Sequence, residues 1–550
     1  MKHSNLYKIL FLTLGVFTTL SCSEDFLERK PIDTLVTGNF YLTEEGITKA
    51  TNAIYAPLGE EGFNGKTMWM IGDGASDDAQ PNGTDPTYIP IDQFSISSDN
   101  PEIARLWQVI YRIIALSNLV LENVEGNSAG QDVLDRCAGE AHMLRGYAYF
   151  MLVRIFSDVP LVLDGMSATE LEDISRSSAY DVYTAIINDF ERAIDLLPTK
   201  SEWISIDPNF TGKVSKHAAM GMLAKVYLTL AGDLSMYDTE SNSSNSTNLR
   251  SLANTETCYN NALDLCNQVI QSGEYRILED YEQVFKYDGS KGGTDGNNCA
   301  ESIWQIQFVG CGTRYGSGNM MQSFWAPYES QITGFDDGWG THSPHEDLAA
   351  CFYDDPDSLI QDGNTVDSTV VPPGDKRFYW TLMFPGVEYP SLPNGAENTP
   401  YVLSYGYGAS GFAAKKYVIG KASSTACRQK YPNNTYLLRY ADVQLMKAEC
   451  HVELNQVGDA ASSLDEIRTR AGKPLLDGGM GQSAMRDAVR LERRRELALE
   501  QSRWFDILRW GIAYDVLAAQ DIILLPDRRL FPIPSTEIAL NKNLTQNRSY

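Results

Sequence analysis

Paired segments with alternating small and large residues constrain the fold of this chain most. Residues 180–198 carry large apolar side chains at spacings of three and four, and residues 214–230 are rich in Ala and Gly. Residues 259–270 repeat the first pattern, and residues 437–454, followed by a partner at 460–470, repeat the second. Small residues let paired helices approach closely while large ones fill the space between them, so the pattern predicts a tetratricopeptide-like helical repeat, an α-solenoid.

Three further segments near the N-terminus also predict helices. Thr43 and the two acids after it indicate an N-capped helix that ends near Tyr55. Residues 101–124 place isoleucines and a leucine on one stripe, and residues 130–157 form a long apolar stretch. The fold class we predict is therefore mainly α.

Two long regions without a helical pattern interrupt these helices. Residues 59–100 are rich in Gly, Asp and Pro, and residues 274–435 hold many Trp and Tyr among Gly and Pro. Within the second region, residues 302–308 alternate as a short strand would. We predict a scaffold with ligand-binding loops, because insertions this long are more often functional than filler. The scaffold segments are residues 40–58, 101–273 and 430–515.

The charge of the chain excludes one class of partner. With 72 acidic and 45 basic residues the net charge is −27, so the chain should repel the phosphate backbone of nucleic acids. No stretch is as long and uniformly apolar as the roughly 18 to 20 residues of a membrane-spanning helix. These features favour a globular protein that does not bind nucleic acid.

The N-terminal sequence predicts an export signal followed by a lipid-attachment site. Lys2 and Lys8 precede a short apolar run, and residues 1–21 therefore predict a signal peptide. Cys22 comes directly after a small residue and is the predicted lipidation site, a diacylglyceryl and acyl attachment point (a palmitate anchor). The mature domain would then comprise residues 22–550.

Several motifs in the same order at both ends resemble the SusD/RagB family of outer-membrane lipoproteins. At the N-terminus they are residues 22–31, 39–45 and 53–55. At the C-terminus they are residues 439–449, 467–472, 492–497, 503–511, 530–534 and 543–547. The chain departs from the family pattern at Gln501 and Ser502, where glycine is usual.

This resemblance implies a role as well as a fold. Family members are TPR-like, lipid-anchored proteins on the extracellular side of the outer membrane. They bind a glycan or another nutrient and deliver it to a SusC-like TonB-dependent transporter. The resemblance thus implies capture of an oligosaccharide or polysaccharide without catalysis. Capture of a non-glycan nutrient such as a peptide stays open, and so does, less favoured, a surface glycosidase.

The matched motifs belong mostly to the scaffold and do not mark a ligand site. We therefore choose candidate ligand residues by the side chains that sugar binding requires. Aromatic rings cover the apolar faces of sugars, and polar side chains bind the hydroxyl edges. A site therefore needs exposed aromatic residues on loops with polar groups nearby. The ligand-binding candidates are Trp69, Asp73, Tyr88, Trp325, Tyr328 and Trp339.

Catalytic and metal motifs are weak. Adjacent acids such as Asp77 and Asp78 are no more frequent than chance predicts in so acidic a chain. His342 and His345 are three apart but Pro344 lies between them, which disfavours a zinc helix. We expect no cofactor, although calcium at the Asp73, Asp77 and Asp78 carboxylates is an alternative. A disulfide between Cys299 and Cys311 would suit an exported protein, but the sequence leaves it open, as it does the identity of the glycan and the transporter-facing surface.

Overall fold

The computed structural model describes most of the chain. The described residues are 40–83, 85–208, 212–238, 243–286, 296–310, 318–327, 338–354, 374–383, 410–420 and 429–550. The predicted signal peptide, Cys22 and Tyr328 lie outside them.

Helices dominate the described residues. The first five are α1 (Glu44–Tyr55), α2 (Thr67–Gly72), α3 (Ile89–Asp92), α4 (Pro101–Val124) and α5 (Gln131–Phe156). The next ten are α6 (Ala168–Asp173), α7 (Ala179–Leu196), α8 (Lys200–Ile206), α9 (Lys216–Ala231), α10 (Asn245–Leu252), α11 (Thr255–Gln271), α12 (Glu282–Phe285), α13 (Met321–Trp325), α14 (Glu346–Ala350) and α15 (Phe378–Thr381). The last seven are α16 (Tyr440–Glu453), α17 (Val457–Ser463), α18 (Asp465–Ala471), α19 (Gln482–Leu497), α20 (Arg503–Arg509), α21 (Ala513–Ala518) and α22 (Ser535–Leu540).

The long helices stack in one continuous series. α1 and α5 both pack on α4, α7 packs between α5 and α9, and α11 packs between α9 and α16, which in turn contacts α19. The inner faces of α1, α4, α5, α7, α9 and α11 and one side of α16 form one large hydrophobic core, and the other side of α16 packs with α17 to α19 in a smaller one. This stacking confirms the prediction of a mainly α, TPR-like helical fold, in which each helix buries its apolar face against its neighbours.

Local signals placed most helix boundaries correctly. The Thr43 side chain accepts a hydrogen bond from the Gly46 N–H at 3.1 Å, which is the predicted N-cap of α1. The predicted stripe of α4, from Ile103 to Ile114, is buried. The predicted helix at 460–470 is instead two short helices, α17 and α18, separated at Leu464.

Helix α4 has an ambiguous composition. By length and hydropathy alone, this helix could span a membrane. The expectation from the sequence that no segment is long and apolar enough for that is therefore corrected. In this fold 56% of its most apolar window is buried against the rest of the protein. It is therefore a core helix of the repeat scaffold.

The described residues include six short strands: one pair joins the two predicted loop regions, one lies within the second region, and one joins that region to the scaffold. They are β1 (Ala79–Pro81), β2 (Ser302–Ile306), β3 (His342–Pro344), β4 (Leu382–Met383), β5 (Ala413–Ala414) and β6 (Thr435–Arg439). The antiparallel pairs are β1 with β3, β2 with β6, and β4 with β5. The predicted strand at 302–308 is confirmed as β2, and its partner β6 leads directly into α16.

The two predicted loop regions build a second hydrophobic core of their own. Its members are drawn from both regions and include Trp69, Trp325, Leu348 and Phe378. Segments remote in sequence meet here, as at the β1–β3 pair. This second core lies beside the helical one and contains the ligand-binding candidates Trp69 and Trp325, with Trp339 packed against it, whereas Tyr88 belongs to the helical core.

The thiols of the described residues are free. Cys299 is one of them, and its Sγ lies 3.2 Å from the Tyr436 hydroxyl. Cys311, the other half of the disulfide considered above, lies outside the described residues.

Candidate functional site

Three of the predicted ligand aromatics are buried. Trp69 and Trp325 are each 1% exposed and Tyr88 is 0% exposed. The expectation that these rings are exposed on loops is therefore wrong. The physical reason is that both cores take large apolar side chains from the Gly- and Pro-rich segments: Trp69 and Trp325 pack in the second core and Tyr88 in the helical one.

The structure nevertheless brings the predicted aromatics together around His342. The imidazole centroid lies 4.5 Å from the Tyr88 ring and 5.2 Å from the Trp325 ring, both edge-to-face. Phe324 stacks on the same imidazole at 5.5 Å, and Trp69 meets Trp325 at 5.7 Å. We call these five residues the aromatic cluster. Such contacts hold rings rigidly.

Buried polar atoms accompany this cluster. Among the described residues, the Tyr88 hydroxyl, the Trp325 Nε1 and both His342 ring nitrogens have no hydrogen-bond partner. Burial is the larger cause and the positive charge of Lys66 the smaller; together they lower the pKa of His342 to about 3. The imidazole is therefore neutral at ordinary pH.

Trp339 is the one aromatic candidate among the described residues that reaches the surface. Its side chain is half-buried, and its ring packs edge-to-face on Phe324 at 5.1 Å. Its backbone N–H donates to the Ser323 carbonyl at 2.7 Å, which ties it to α13. Trp339 thus forms the outer edge of the aromatic cluster.

Asp73 is also buried and belongs to the packing of the scaffold. The Gln501 N–H donates to both of its carboxylate oxygens at 3.0 Å. Burial, and then the charge of Asp78, raise the pKa of Asp73 well above its usual range. A Cβ at Gly72 would lie 2.4 Å from the Gln501 carbonyl oxygen, so the two backbones are in close contact. The expectation that Asp73 reaches a ligand at the surface is wrong for this reason.

The adjacent acids Asp77 and Asp78 are held by arginines. Arg503 makes two hydrogen bonds to Asp77, and Arg494 pairs with Asp78 at 2.8 Å. Although burial opposes ionisation, Arg494 and Arg503 lower the pKa of Asp77 to about 2. The negative charges of Asp77 and Asp78 are thus already compensated by these arginines. No set of three or more His, Cys, Asp or Glu in the described part of the chain is arranged to hold a metal.

His345 has a local structural task. Its Nδ1 accepts a hydrogen bond from the Asp347 N–H at 3.3 Å, which caps the start of α14. His342, three residues earlier, is buried within the aromatic cluster. The two imidazoles therefore serve different parts of the fold.

A polar groove of about 790 Å³ lies beside this cluster. One wall is the glycine-rich turn from Gly59 to Gly65, a second is the outer face of α4, and residues 318–320 and 429–430 close it. Its hydrogen-bonding side chains are Glu60, Glu61, Arg105, Gln108, Arg112, Gln429 and Lys430. We call this space the polar groove.

Ion pairs fix several of these side chains. Arg112 on α4 pairs with Glu60 across the groove. Arg105 pairs at 3.1 Å with Glu102, which also accepts hydrogen bonds from Lys66 at 3.1 Å and Thr67 at 3.0 Å. The groove therefore presents oriented guanidinium and amide groups whose charges are largely balanced.

Neighbouring residues link the groove with the aromatic cluster. The Lys66 ammonium lies 5.6 Å from the centre of the Phe324 ring, whose other neighbour is Trp339. Met320, which lines the groove, immediately precedes α13. Glu102, which pairs with the groove residue Arg105, also accepts a hydrogen bond from Lys66, so a chain of contacts leads from the groove to the half-buried Trp339 indole. Polar side chains near an aromatic ring are the combination that sugar recognition requires.

Sequence analysis missed the residues of the groove. Their local signal is the repeat of Gly59, Gly62 and Gly65 around two acids, which lets a backbone turn lie against α4. A Cβ at Gly62 would lie 3.0 Å from the Arg105 Cβ. Lys430 has no comparable signal, because only the fold brings it to the groove.

The fold and this surface define a class: a helical-repeat scaffold that carries a polar groove next to an aromatic edge. Two family models match the chain, one described as the SusD family over residues 300–523 and one as starch-binding associating with outer membrane over residues 25–228. The chain belongs to the SusD/RagB family, which confirms the resemblance inferred from the sequence motifs.

Individual relatives match over nearly the whole length. A SusD-like protein P2 of Formosa agariphila is 26% identical, and the match covers 98% of this chain and 99% of the relative. A SusD-like protein structure from Bacteroides fragilis superposes with a TM-score of 0.73 at 21% identity and covers 94% of this chain and 100% of its own. A structure described as a laminarin binding SusD-like protein gives a TM-score of 0.69 at 22% identity, with 92% and 99% coverage. These similarities show that the fold is shared from end to end.

Proposed function

We propose that this protein is a glycan-binding lipoprotein of the outer membrane. It would bind an oligosaccharide or polysaccharide at the polar groove and Trp339. The observation that carries the proposal is the chain of contacts that leads from the groove residue Arg105 through Glu102, Lys66 and Phe324 to the half-buried Trp339 indole. The laminarin-binding relative and the starch-binding description of the N-terminal family model support a sugar as ligand.

The charges of the groove favour a neutral glycan. Glu60 and Glu102 are paired with Arg112 and Arg105, so no strong excess of positive charge faces the groove. The chain as a whole carries −27 and repels polyanions at long range. We therefore propose an uncharged sugar polymer, whose affinity changes little with salt.

Binding without chemistry is part of the proposal. Glycoside hydrolysis needs two carboxyl groups placed on either side of the scissile bond. Glu60 is held in an ion pair, and Glu102 accepts hydrogen bonds from three side chains. These contacts support a role for both carboxylates in orienting cations rather than in proton transfer.

Location and partner follow from family membership as proposals. Lipidation at Cys22 would attach the protein to the outer membrane, on the extracellular side, and a SusC-like TonB-dependent transporter would receive the bound glycan. An anionic body of charge −27 would not adsorb to an anionic membrane, so the acyl chains must supply the attachment. The description of the matched family model supports association with the outer membrane.

Isothermal titration of the soluble chain from Ser23 onward against neutral and anionic polysaccharides tests the proposal. We expect saturable heat with a neutral glycan, at least a tenfold loss of affinity for Trp339→Ala, and a similar loss for Arg105→Gln. Tyr514→Ala is the matched control, because Tyr514 is partly exposed but lines neither the groove nor the cluster. Heat that never saturates would indicate turnover and overturn binding without chemistry. Silence across the panel would overturn the glycan and favour a peptide.

A further inference from the structure

A second groove, mostly apolar, runs along α4 and shares only Gln108 with the polar groove. It has a volume of about 600 Å³. Its walls are one face of α4, the segment from Pro160 to Ile174 and the C-terminal segment from Glu537 to Leu544. Apolar side chains that line it are Trp107, Tyr111, Leu119, Met166, Leu171 and Leu540. We call it the α4 groove.

Large apolar side chains are exposed around this groove. Met166 is 38% exposed, Leu171 44% and Leu540 68%. One such residue on a surface is ordinary, but three around one concave apolar space mark a surface that another chain segment covers.

The charges at the α4 groove all have one sign. Its ionisable lining residues are Glu122, Asp164, Glu172 and Glu537, and no Lys or Arg is among the residues that line it. An occupant that combines apolar side chains with positive charge would therefore fit it better than an acidic one.

The first described residues lie at one end of the α4 groove. The Asn127 side chain donates to the Tyr41 carbonyl at 2.6 Å, and the Ser128 hydroxyl donates to the Leu42 carbonyl at 3.0 Å. Asn127 and Ser128 follow the last turn of α4, just beyond the groove residue Glu122. The chain that precedes Phe40 therefore starts beside the groove.

We propose that residues 29–38 of the same chain dock in the α4 groove. This stretch supplies Ile32, Leu35 and Val36 as apolar contacts. It also supplies Arg29 and Lys30 against a single acid, Asp33, so it carries a positive excess toward the acidic rim.

The length of the segment suits the groove. From Trp107 to Glu122 the helix rises roughly 22 Å at 1.5 Å per residue. An extended chain covers that distance in about seven residues, which residues 29–38 supply with a margin at each end. If Cys22 carries the proposed lipid, docking leaves only residues 23–28 as a free tether and holds the body at a defined distance from the membrane. The docking itself does not depend on that anchor.

Photocrosslinking of the chain from Ser23 onward tests the proposal. Benzoylphenylalanine in place of Leu35 should crosslink to peptides from 101–124, 160–174 or 537–544, as mapped by mass spectrometry. The same group in place of Ile204, which is 48% exposed on α8 and does not line the groove, is the control and should give none of these products. Products elsewhere, or no products at position 35, would overturn the proposal.

A mixture of isotopically light and heavy protein separates docking within one chain from docking between copies. Crosslinks confined to one isotope support the proposal, whereas light–heavy products would assign the groove to a second copy and overturn it. Leu540→Gln and Leu171→Gln should each lower the crosslinking yield several-fold, because both side chains flank the groove. Ile523→Gln, at an 82% exposed position outside the groove, should leave the yield unchanged.

Discussion

Arg503 and Asp77, which are 426 positions apart in the chain, are joined by two parallel hydrogen bonds. Nε donates to Oδ1 at 2.7 Å and Nη2 donates to Oδ2 at 2.8 Å. Both side chains are buried, so this bidentate pair ties the first loop region to helix α20 near the C-terminus. It fixes the position of the strand β1 that follows Asp77, and through β3 the position of the aromatic cluster.

Removal of one partner of this pair should destabilise the protein strongly. Asp77→Asn leaves the Arg503 guanidinium buried with a weakened partner, and we expect the free energy of unfolding to fall by about 3 kcal/mol. Urea denaturation monitored by circular dichroism measures this. Lys49→Gln, which breaks a solvent-exposed pair with Glu45 on α1, is the control and should leave the midpoint unchanged. Equal midpoints for both variants would contradict a structural role for the buried pair.

Replacement of Trp325 should lower the stability of the protein, because its ring is part of the second core and not of an open ligand-binding surface. Trp325→Ala removes a ring that is 1% exposed, and a cost of about 3–5 kcal/mol is expected from the lost packing and the cavity. Trp339→Ala, at the half-exposed edge of the cluster, should lower the melting temperature much less. Differential scanning calorimetry compares the two. If Trp325→Ala unfolded at the temperature of the parent protein, the second core would not depend on this ring.

Asp92, the last residue of α3, should make the protein less stable at alkaline than at acidic pH. Burial raises the pKa of Asp92 to about 7. Below pH ~4 both folded and unfolded forms are protonated. As the pH rises toward 7, only the unfolded form ionises, and stability declines until the folded form ionises too. Asp92→Asn should therefore stabilise the protein at pH 8 by up to about 4 kcal/mol and have little effect at pH 4. The same gain at both pH values would refute this assignment.

His342 should make the protein less stable as the pH falls below about 6.5. Its folded-state pKa of about 3 lies below the usual value near 6.5, because burial opposes its charge. Its contribution to stability is complete above pH ~6.5 and declines as the pH falls toward 3, by about 1.4 kcal/mol per pH unit. His342→Phe should flatten the loss of stability between pH 6 and 4 while keeping the stacked ring. Parallel stability curves for the two proteins over this range would argue against a buried neutral imidazole.

Two buried tyrosines provide a matched comparison of hydroxyl groups. The Tyr88 hydroxyl has no hydrogen-bond partner among the described residues, whereas the Tyr149 hydroxyl accepts from the Val162 N–H at 2.6 Å and donates to the Val162 carbonyl at 2.9 Å. Tyr88→Phe should thus be nearly neutral or stabilising, and Tyr149→Phe should cost about 1–3 kcal/mol, because it leaves backbone groups unpaired. Chemical denaturation of both variants checks this order. A larger loss for Tyr88→Phe would show that its hydroxyl does have a partner in solution.

Sequence analysis predicted the long helices well because their signals are local. The spacing of Tyr183 and Phe190 in α7 and the cap at Thr43 both report on contacts within a few residues. The break between α17 and α18 at Leu464 was missed. Single-sequence periodicity does not resolve a one-residue break of this kind between two short helices.

The candidate site was predicted only in part. Trp69, Tyr88, Trp325 and Trp339 do lie close together, but three of the four are interior. Composition identifies aromatic residues in loops; it does not tell whether a loop will form a core of its own. The groove residues Arg105 and Arg112 were not predicted, because the other walls of the groove come from segments remote from α4 in the chain.

Local sequence patterns are enough to identify this protein as a helical-repeat member of the SusD/RagB family, because helix periodicity, caps and ordered motifs depend on residues that are close together in the chain. Tertiary structure alone decided which aromatic side chains are buried and which surface is left open. Burial depends on pairings such as β1 with β3 and Asp77 with Arg503, which join segments hundreds of residues apart. In the Asp77–Arg503 pair, charge attraction and hydrogen bonds must offset the cost of removing both partners from water, so the outcome depends on the two together and neither partner alone encodes it.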